Sequence, residues 1–188
     1  MAGRQLEAYI ERRVGVIWKW IFDPSFGILN YVLVRINLIN EGIAWLGDPR
    51  FALLSTIVVK TWVGVPFIGL MLLAGLQAIP ESQYEAAIVD GANGWQVFRF
   101  VTLPNLRHVI TTALTLDFIW TMRSMATVYV LTRGGPVNAT RIIPIRIYEE
   151  GFEFMRFGTA TAISVLLFCI LIAFMSVVIR TRLAENRD

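Results

Sequence analysis

The chain has 188 residues, of which 56% are hydrophobic and 12% aromatic, and its formal net charge at pH 7 is +3. This hydrophobic fraction exceeds what a soluble domain usually carries, so the composition indicates a membrane protein. The small positive charge does not indicate nucleic-acid binding, because the arginines are scattered and form no basic run interleaved with aromatic residues. We therefore expect no nucleic-acid partner.

The sequence contains one cysteine, Cys169, and one histidine, His108. A single cysteine cannot form an intrachain disulfide, and these two residues cannot supply a His/Cys metal cluster. The sequence also holds no Walker-type phosphate loop, so any ATP hydrolysis is expected on another protein. The sequence therefore predicts a protein that is not an enzyme and holds no metal or cofactor.

The first apolar segment covers residues 14–22, with the sequence VGVIWKWIF. It is too short to cross a membrane, and Asp23-Pro24 together with Gly27 is expected to break a helix. We interpret the segment as the end of a span whose beginning is missing.

Three longer apolar segments, 51–76, 109–131 and 157–179, have the length that a helix needs to cross the hydrocarbon of a membrane. The last of them carries no charge. Residues 51–76 include Lys60 and Pro66, which a span tolerates if the lysine reaches the surface or faces other helices. Each segment is predicted to be a transmembrane helix.

The middle segment, 109–131, carries Asp117 and Arg123. Such charges must be paired or hydrated inside a membrane, so this helix is expected to face protein or water. They could line a wet path for a solute, or they could be structural partners at a subunit interface or near the headgroups. Neither residue is assigned to substrate binding, and the substrate-binding residues stay unknown.

The connection 77–108 is polar compared with its neighbours. Pro80 suits the first turn of a helix, and apolar residues at helical spacing predict a short helix at about 81–90, ended by Gly91. A second short helix is expected after Asn93-Gly94, and Pro104 can begin the next span. The sequence thus predicts a helix-turn-helix between two spans.

The same connection resembles the EAA signature of importer-type ABC permeases. Glu85-Ala86-Ala87 is followed after three residues by Gly91, and after nine more by Val101-Thr102-Leu103-Pro104. Three further segments are similar to the carbohydrate branch of that family. They are WKWIFDPSFGILN at 18–30, LAGLQAIPESQYEAA before and within the signature, and LTRGGPVNAT at 131–140. The resemblance implies an all-α, polytopic transmembrane helical bundle of the type I ABC importer permease class, in the inner membrane.

The resemblance also implies how the protein works. The 77–108 connection would be cytoplasmic and would dock into an ATP-binding subunit, with residues 132–156 on the other side of the membrane. The implied partners are a second permease subunit, two ATP-binding subunits, an extracytoplasmic solute-binding protein and membrane lipid. The residues implied to form the coupling loop are Glu85, Ala86, Ala87, Asp90, Gly91, Ala92, Leu103 and Pro104.

The resemblance divides the chain into three parts. Residues 1–50 would hold the incomplete first span and an extracytoplasmic segment, residues 51–180 the permease core, and residues 181–188 a cytoplasmic tail. Family members generally have six core spans, so the chain is expected to be truncated at its N-terminus. The expected function is a permease subunit of a sugar-type importer; the alternative is a non-transporting remnant or a scaffolding membrane subunit.

Overall fold

A computed structural model describes the backbone of residues 2–185 and the side chains of residues 11–180. In this part of the chain the secondary structure is helical, and it contains no strand. The α-helices are α1 Ala2–Ile21, α2 Ile28–Arg35, α3 Pro49–Gln77, α4 Glu81–Val89, α5 Gly94–Val97, α6 Leu103–Arg123, α7 Ala126–Thr132, α8 Ile143–Tyr148 and α9 Phe157–Glu185. Two π-helical segments, Phe98–Thr102 and Glu149–Glu153, complete the list. The all-α prediction is confirmed.

The chain forms two compact units. Unit 1 comprises Met1–Val63 and Thr121–Asp188, and unit 2 comprises Gly64–Trp120. Helices α3 and α6 each begin in one unit and end in the other. The connection 77–108 therefore belongs wholly to unit 2.

Within the described residues, two helices are long and apolar enough to cross a membrane, Pro49–Gln77 and Phe157–Arg180. They contain the predicted spans 51–76 and 157–179. Of the predicted tail, 181–188, the backbone continues α9 to Glu185, and residues 186–188 lie outside the described residues.

The third predicted span is not one continuous helix. The sequence predicted an unbroken helix over 109–131, whereas α6 ends at Arg123 and α7 begins at Ala126. At the break, the amide of Ser124 donates to the carbonyl oxygen of Thr121 at 3.3 Å, three residues back rather than four. Neither glycine nor proline marks this break, so the usual sequence signals for it are missing.

The core of unit 1 lies between α1, α3 and α7. Its buried residues Phe22, Val59 and Leu131 pack together. Helix α1 also packs along α7, and a Cβ at Gly15 would lie 2.9 Å from a methyl carbon of Val130. Glycine at this position therefore lets the two helices approach closely.

Asn30 holds together the segment between α1 and α3. Its side-chain amide donates to the carbonyl oxygens of Asp23, Pro24 and Ile43, at 3.3, 3.3 and 2.9 Å. Its side-chain oxygen accepts from the Ile43 amide at 3.2 Å and from the Trp45 indole at 2.7 Å. Because Asn30 is buried, these bonds replace the water that its amide would otherwise bind.

The segment between α7 and α9 begins with a turn at Gly134-Gly135-Pro136. The Gly135 amide donates to the carbonyl oxygen of Thr132 at 2.9 Å, and Gly134 has φ +85°.

Further along the same segment, the buried carboxylate of Glu150 forms an ion pair with the guanidinium of Arg146 at 2.6 Å. This ion pair fixes the π-helical segment just before α9.

Unit 2 is built on α3 and α6. A Cβ at Gly75 would lie 2.9 Å from a methyl carbon of Leu106 and 3.0 Å from one of Val109, so the helices are in close contact there. The rings of Phe67 and Trp120 meet edge to face, with centroids 4.8 Å apart. These contacts hold together the two helices that flank the 77–108 connection.

Candidate coupling site

The first helix of the connection forms as predicted. The expected range was about 81–90, and α4 spans Glu81–Val89. Pro80 lies at its N-cap with extended backbone, and Glu81 is in the first turn. The acidic side chain there interacts favourably with the positive end of the helix dipole.

The end of α4 is set by Gly91, which has φ +74°. The amide of Gly91 donates to the carbonyl oxygen of Ile88 at 3.0 Å, and the amide of Ala92 donates to that of Ala87 at 2.9 Å. This pair of bonds defines a Schellman motif, whose left-handed residue is usually glycine. The sequence prediction of a glycine stop at this position is confirmed.

The chain then re-enters a helix through a capping box. The side chain of Asn93 accepts the amide of Gln96 at 3.0 Å, and the side chain of Gln96 accepts the amide of Asn93 at 2.8 Å. Two amides at the start of α5 are thereby satisfied, which fixes where the second helix begins. The turn between the helices is therefore defined by hydrogen bonds at both of its ends.

The second helix differs from the prediction. We expected a separate short helix up to Pro104, but α5, the π-helical segment 98–102 and α6 follow one another without a gap. Proline lacks an amide hydrogen and its ring collides with the carbonyl four residues back, so an ordinary α-helix would be disturbed before Pro104. A π-helical turn absorbs such a disturbance without ending the helix.

Side-chain hydrogen bonds connect α4 to this second helix. The hydroxyl groups of Tyr84 and Thr102 lie 3.4 Å apart, and the amide group of Asn105 donates to the side-chain oxygen of Gln83 at 2.8 Å. The Asn105 amide group also donates to the carbonyl oxygen of Val101 at 2.7 Å. The two helices of the connection are therefore held in a defined arrangement by their own residues.

The surface of the connection is open. No residue of α4 is buried, and among the predicted coupling residues only Ala87, Ala92 and Leu103 are half-buried; the others are exposed. The side chain of Ile88 is exposed as well. The short helix turns it outward because only one narrow side of α4 faces the second helix.

The exposed residues include several large apolar ones, which sequence reasoning had not placed on the surface. Val89 is 86% exposed and Trp95 71% exposed. The full set of exposed large apolar side chains in α4, α5 and the π-helical segment is Ile88, Val89, Trp95, Phe98 and Phe100. We call this set the apolar face of the connection. Groups of exposed apolar residues commonly mark binding surfaces.

The comparisons with known proteins identify the family. Residues 6–185 match the family described as binding-protein-dependent transport system inner membrane component. The chain belongs to this family, which confirms the resemblance drawn from the EAA signature. It is accordingly an inner membrane component.

Curated relatives give the same picture. A probable ABC transporter permease protein of Brucella suis is 35% identical over 165 residues, covering 88% of this chain and 57% of that protein. The trehalose/maltose transport system permease protein MalF of Thermococcus litoralis is 36% identical over 163 residues, covering 87% and 54%. The diacetylchitobiose uptake system permease protein DasB of Streptomyces coelicolor is 33% identical over 173 residues, covering 92% and 53%. The chain thus spans slightly more than half the length of these relatives.

A solved structure shares the fold. The chain superimposes with a TM-score of 0.72 on part of a bacterial ABC transporter involved in the import of the acidic polysaccharide alginate. The sequence identity is 22%, and the match covers 99% of this chain and 65% of the other. This likeness establishes the helical fold.

Proposed function

We propose that this protein is a membrane-spanning permease subunit of an ATP-binding-cassette importer for a sugar or sugar-like solute. Its segment 77–108 is the coupling loop that receives the movement of an ATP-binding subunit. The observation that carries the proposal is the exposed apolar face on a connection whose internal geometry is fixed by capping and side-chain hydrogen bonds.

The apolar face suits a protein partner. Val89 and Trp95 project from a connection that also exposes the acidic Glu85 and Asp90. Apolar anchors surrounded by polar residues are the usual composition of a protein interface. Ala86 is small and exposed, so the backbone of α4 can approach a partner closely.

A rigid connection is also what coupling requires. A conformational change is transmitted when the element that receives it does not deform internally. The Schellman motif at Gly91 and the capping box at Asn93 hold the turn at both ends. Movement imposed on α4 would therefore pass through this turn into α5, which continues without a gap into α6.

The solute class is proposed from the relatives. Two of them are named as permeases for trehalose/maltose and for diacetylchitobiose. The partners proposed on the same basis are a second permease subunit, two ATP-binding subunits and an extracytoplasmic solute-binding protein. Within this arrangement the 77–108 connection lies in the cytoplasm and the 132–156 segment on the opposite side.

The proposal is tested by placing a charge on the apolar face. Val89→Lys should abolish co-purification of the ATP-binding subunits and sugar uptake by cells, because it introduces a cation into the centre of the contact. The matched control is Ser82→Lys, on the same helix and likewise exposed but outside the apolar face. Both variants should reach the membrane in wild-type amounts, since neither position is buried.

Two results would contradict the proposal. If Val89→Lys retained both the ATP-binding subunits and uptake, the apolar face would not be the docking surface. If the wild-type complex showed no ATP-dependent sugar uptake, the chain would not be a subunit of a sugar importer.

A further inference from the structure

A network of polar side chains joins three elements of unit 1. Glu11 lies on α1, Lys60 on α3, and Ser124 in the break between α6 and α7. The ammonium group of Lys60 lies 3.2 Å from a carboxylate oxygen of Glu11 and 3.2 Å from the hydroxyl of Ser124. The hydroxyl of Ser124 lies 3.0 and 2.8 Å from the two oxygens of Glu11. We call these residues the Glu11 triad.

The Glu11 triad places two charged groups where they are largely removed from water. The side chains of Lys60 and Glu11 are 19% and 21% exposed, and Lys60 lies in the middle of the long apolar helix α3. Removing two charges from water costs free energy that their attraction only partly returns. Ionisable residues inside membrane-spanning helices therefore usually serve a function. The pair also explains how α3 accommodates Lys60, which the sequence left open.

The position of the triad along the chain indicates that function. Lys60 lies four residues before Gly64, where the chain enters unit 2, and Ser124 lies four residues after Trp120, where it leaves. Those two crossings are the covalent connections between unit 2, which carries the 77–108 connection, and the rest of the chain. Each crossing therefore lies four residues from a side chain that bonds to the carboxylate of Glu11.

We propose that Glu11 and Lys60 are positioning residues for coupling. By bonding to Lys60 on one crossing and to Ser124 on the other, Glu11 makes the two crossings move as one body when the 77–108 connection is displaced. Without the triad, each crossing moves separately and ATP hydrolysis no longer drives transport in a fixed ratio. This inference rests on the proposed function of the chain as an importer subunit.

The choice of variants must separate coupling from folding. Glu11→Gln or Lys60→Met alone leaves the partner charge without compensation, which by itself destabilises a protein. The double substitution Glu11→Gln with Lys60→Met removes both charges and keeps similar side-chain volumes. The exchange Glu11→Lys with Lys60→Glu keeps a pair of opposite charges, and the Ser124 hydroxyl can bond to either group.

The experiment uses the complete transporter complex in liposomes, and measures sugar molecules transported per ATP hydrolysed. We expect the neutral double variant to assemble normally and to lose about tenfold in this ratio, a typical size for a change in coupling. The exchanged pair should recover most of the wild-type ratio. The matched control removes the Asp48–Arg50 ion pair with Asp48→Asn and Arg50→Met. Because that pair lies outside the triad, its removal should leave the ratio of sugar transported to ATP hydrolysed unchanged.

The outcomes are distinct. A neutral double variant with a wild-type ratio would overturn the proposal, and so would a lowered ratio that the exchanged pair fails to restore. Loss of assembled complex in the double variant, with a normal ratio in what remains, would show a purely structural pair and overturn it as well. If the wild-type complex transported no sugar, both this inference and the proposed function would fail, whereas the other results leave the proposed function standing.

Discussion

The amide of Ala92 donates to the carbonyl oxygen of Ala87 at 2.9 Å, five residues back, and this bond closes the end of α4. It can form because the intervening Gly91 has φ +74°. A Cβ at Gly91 would meet nothing within 4 Å, so there is room for a side chain. The requirement for glycine at this position is therefore one of backbone conformation alone.

Because glycine is required at position 91 for its backbone conformation, the effect of substituting Gly91 should depend on whether the new residue tolerates positive φ. Gly91→Val should abolish uptake while the protein remains in the membrane, because a β-branched residue is strained at positive φ and the two helices would meet at another angle. Gly91→Asn should retain most activity, since asparagine tolerates the left-handed conformation better than other side chains. Co-purification of the ATP-binding subunits and sugar uptake are measured on each variant.

Gly94 provides the control for this experiment. It is in the same connection, its added Cβ would also meet nothing within 4 Å, and its φ is not in the left-handed region. Gly94→Val should therefore be much milder than Gly91→Val. Equal losses at both positions would show that bulk, not backbone conformation, is responsible.

The topology of the membrane segments is tested by cysteine labelling. With Cys169→Ser as the background, Asn138→Cys should react with an impermeant maleimide in intact cells, because the 132–156 segment is proposed to lie outside the cytoplasm and Asn138 is exposed. Ser82→Cys, in the proposed coupling loop, should react only after the membrane is permeabilised. The reverse pattern would invert the proposed orientation.

Asn30 is predicted to be essential for the stability of the segment between α1 and α3. Asn30→Ala would remove the bonds that Asn30 makes to the half-buried Trp45 indole and to the backbone of Ile43, which should lower the free energy of unfolding by about 2–3 kcal/mol. Thermal unfolding of the purified complex in detergent measures the loss as a lower Tm. Asn40→Ala, at an exposed position in the same segment, should leave Tm unchanged; similar shifts in both would argue against a special role for Asn30.

The close contact between α3 and α6 gives a further prediction. Gly75→Leu should separate the helices, because even a Cβ would lie 2.9 Å from Leu106, and overpacking of this kind costs about 1–3 kcal/mol. Gly69→Leu, on the same helix, should be tolerated since nothing lies within 4 Å of its added Cβ. The amount of folded protein in the membrane, followed by gel filtration, compares the two. Equal recovery of both variants would contradict the contact.

The sequence allowed the ends of α4 to be predicted, because Pro80 and Gly91 restrict the backbone whatever surrounds them. The break at Ser124 could not be predicted in this way. There Ser124 accepts a hydrogen bond from Lys60 and donates one to Glu11; both partners are distant in sequence, and Glu11 lies outside the predicted spans. Asn30 was missed for the same reason, since its partners include Ile43 and Trp45 across the segment.

In the coupling site, residue types and spacing predicted the motif but not the exposure of its apolar residues. Ile88 has the helical spacing of Tyr84, yet Ile88 is exposed, whereas Tyr84 and Gln83 bond to residues of the second helix. Periodicity shows which residues share a face, whereas the extent of the partner surface decides how much of that face is covered.

The π-helical segment Phe98–Thr102 also changes how the helix from Gly94 to Arg123 should be drawn. A π-helical turn contains one residue more than an α-helical turn requires, and each residue of an α-helix corresponds to a rotation of about 100°. A helical wheel continued through this segment would therefore assign Trp95 to the wrong side relative to α6. Deleting Arg99, which is not part of the apolar face, would remove the extra residue, and the resulting α-helical turn would keep Trp95 on nearly the same side of the helix relative to α6.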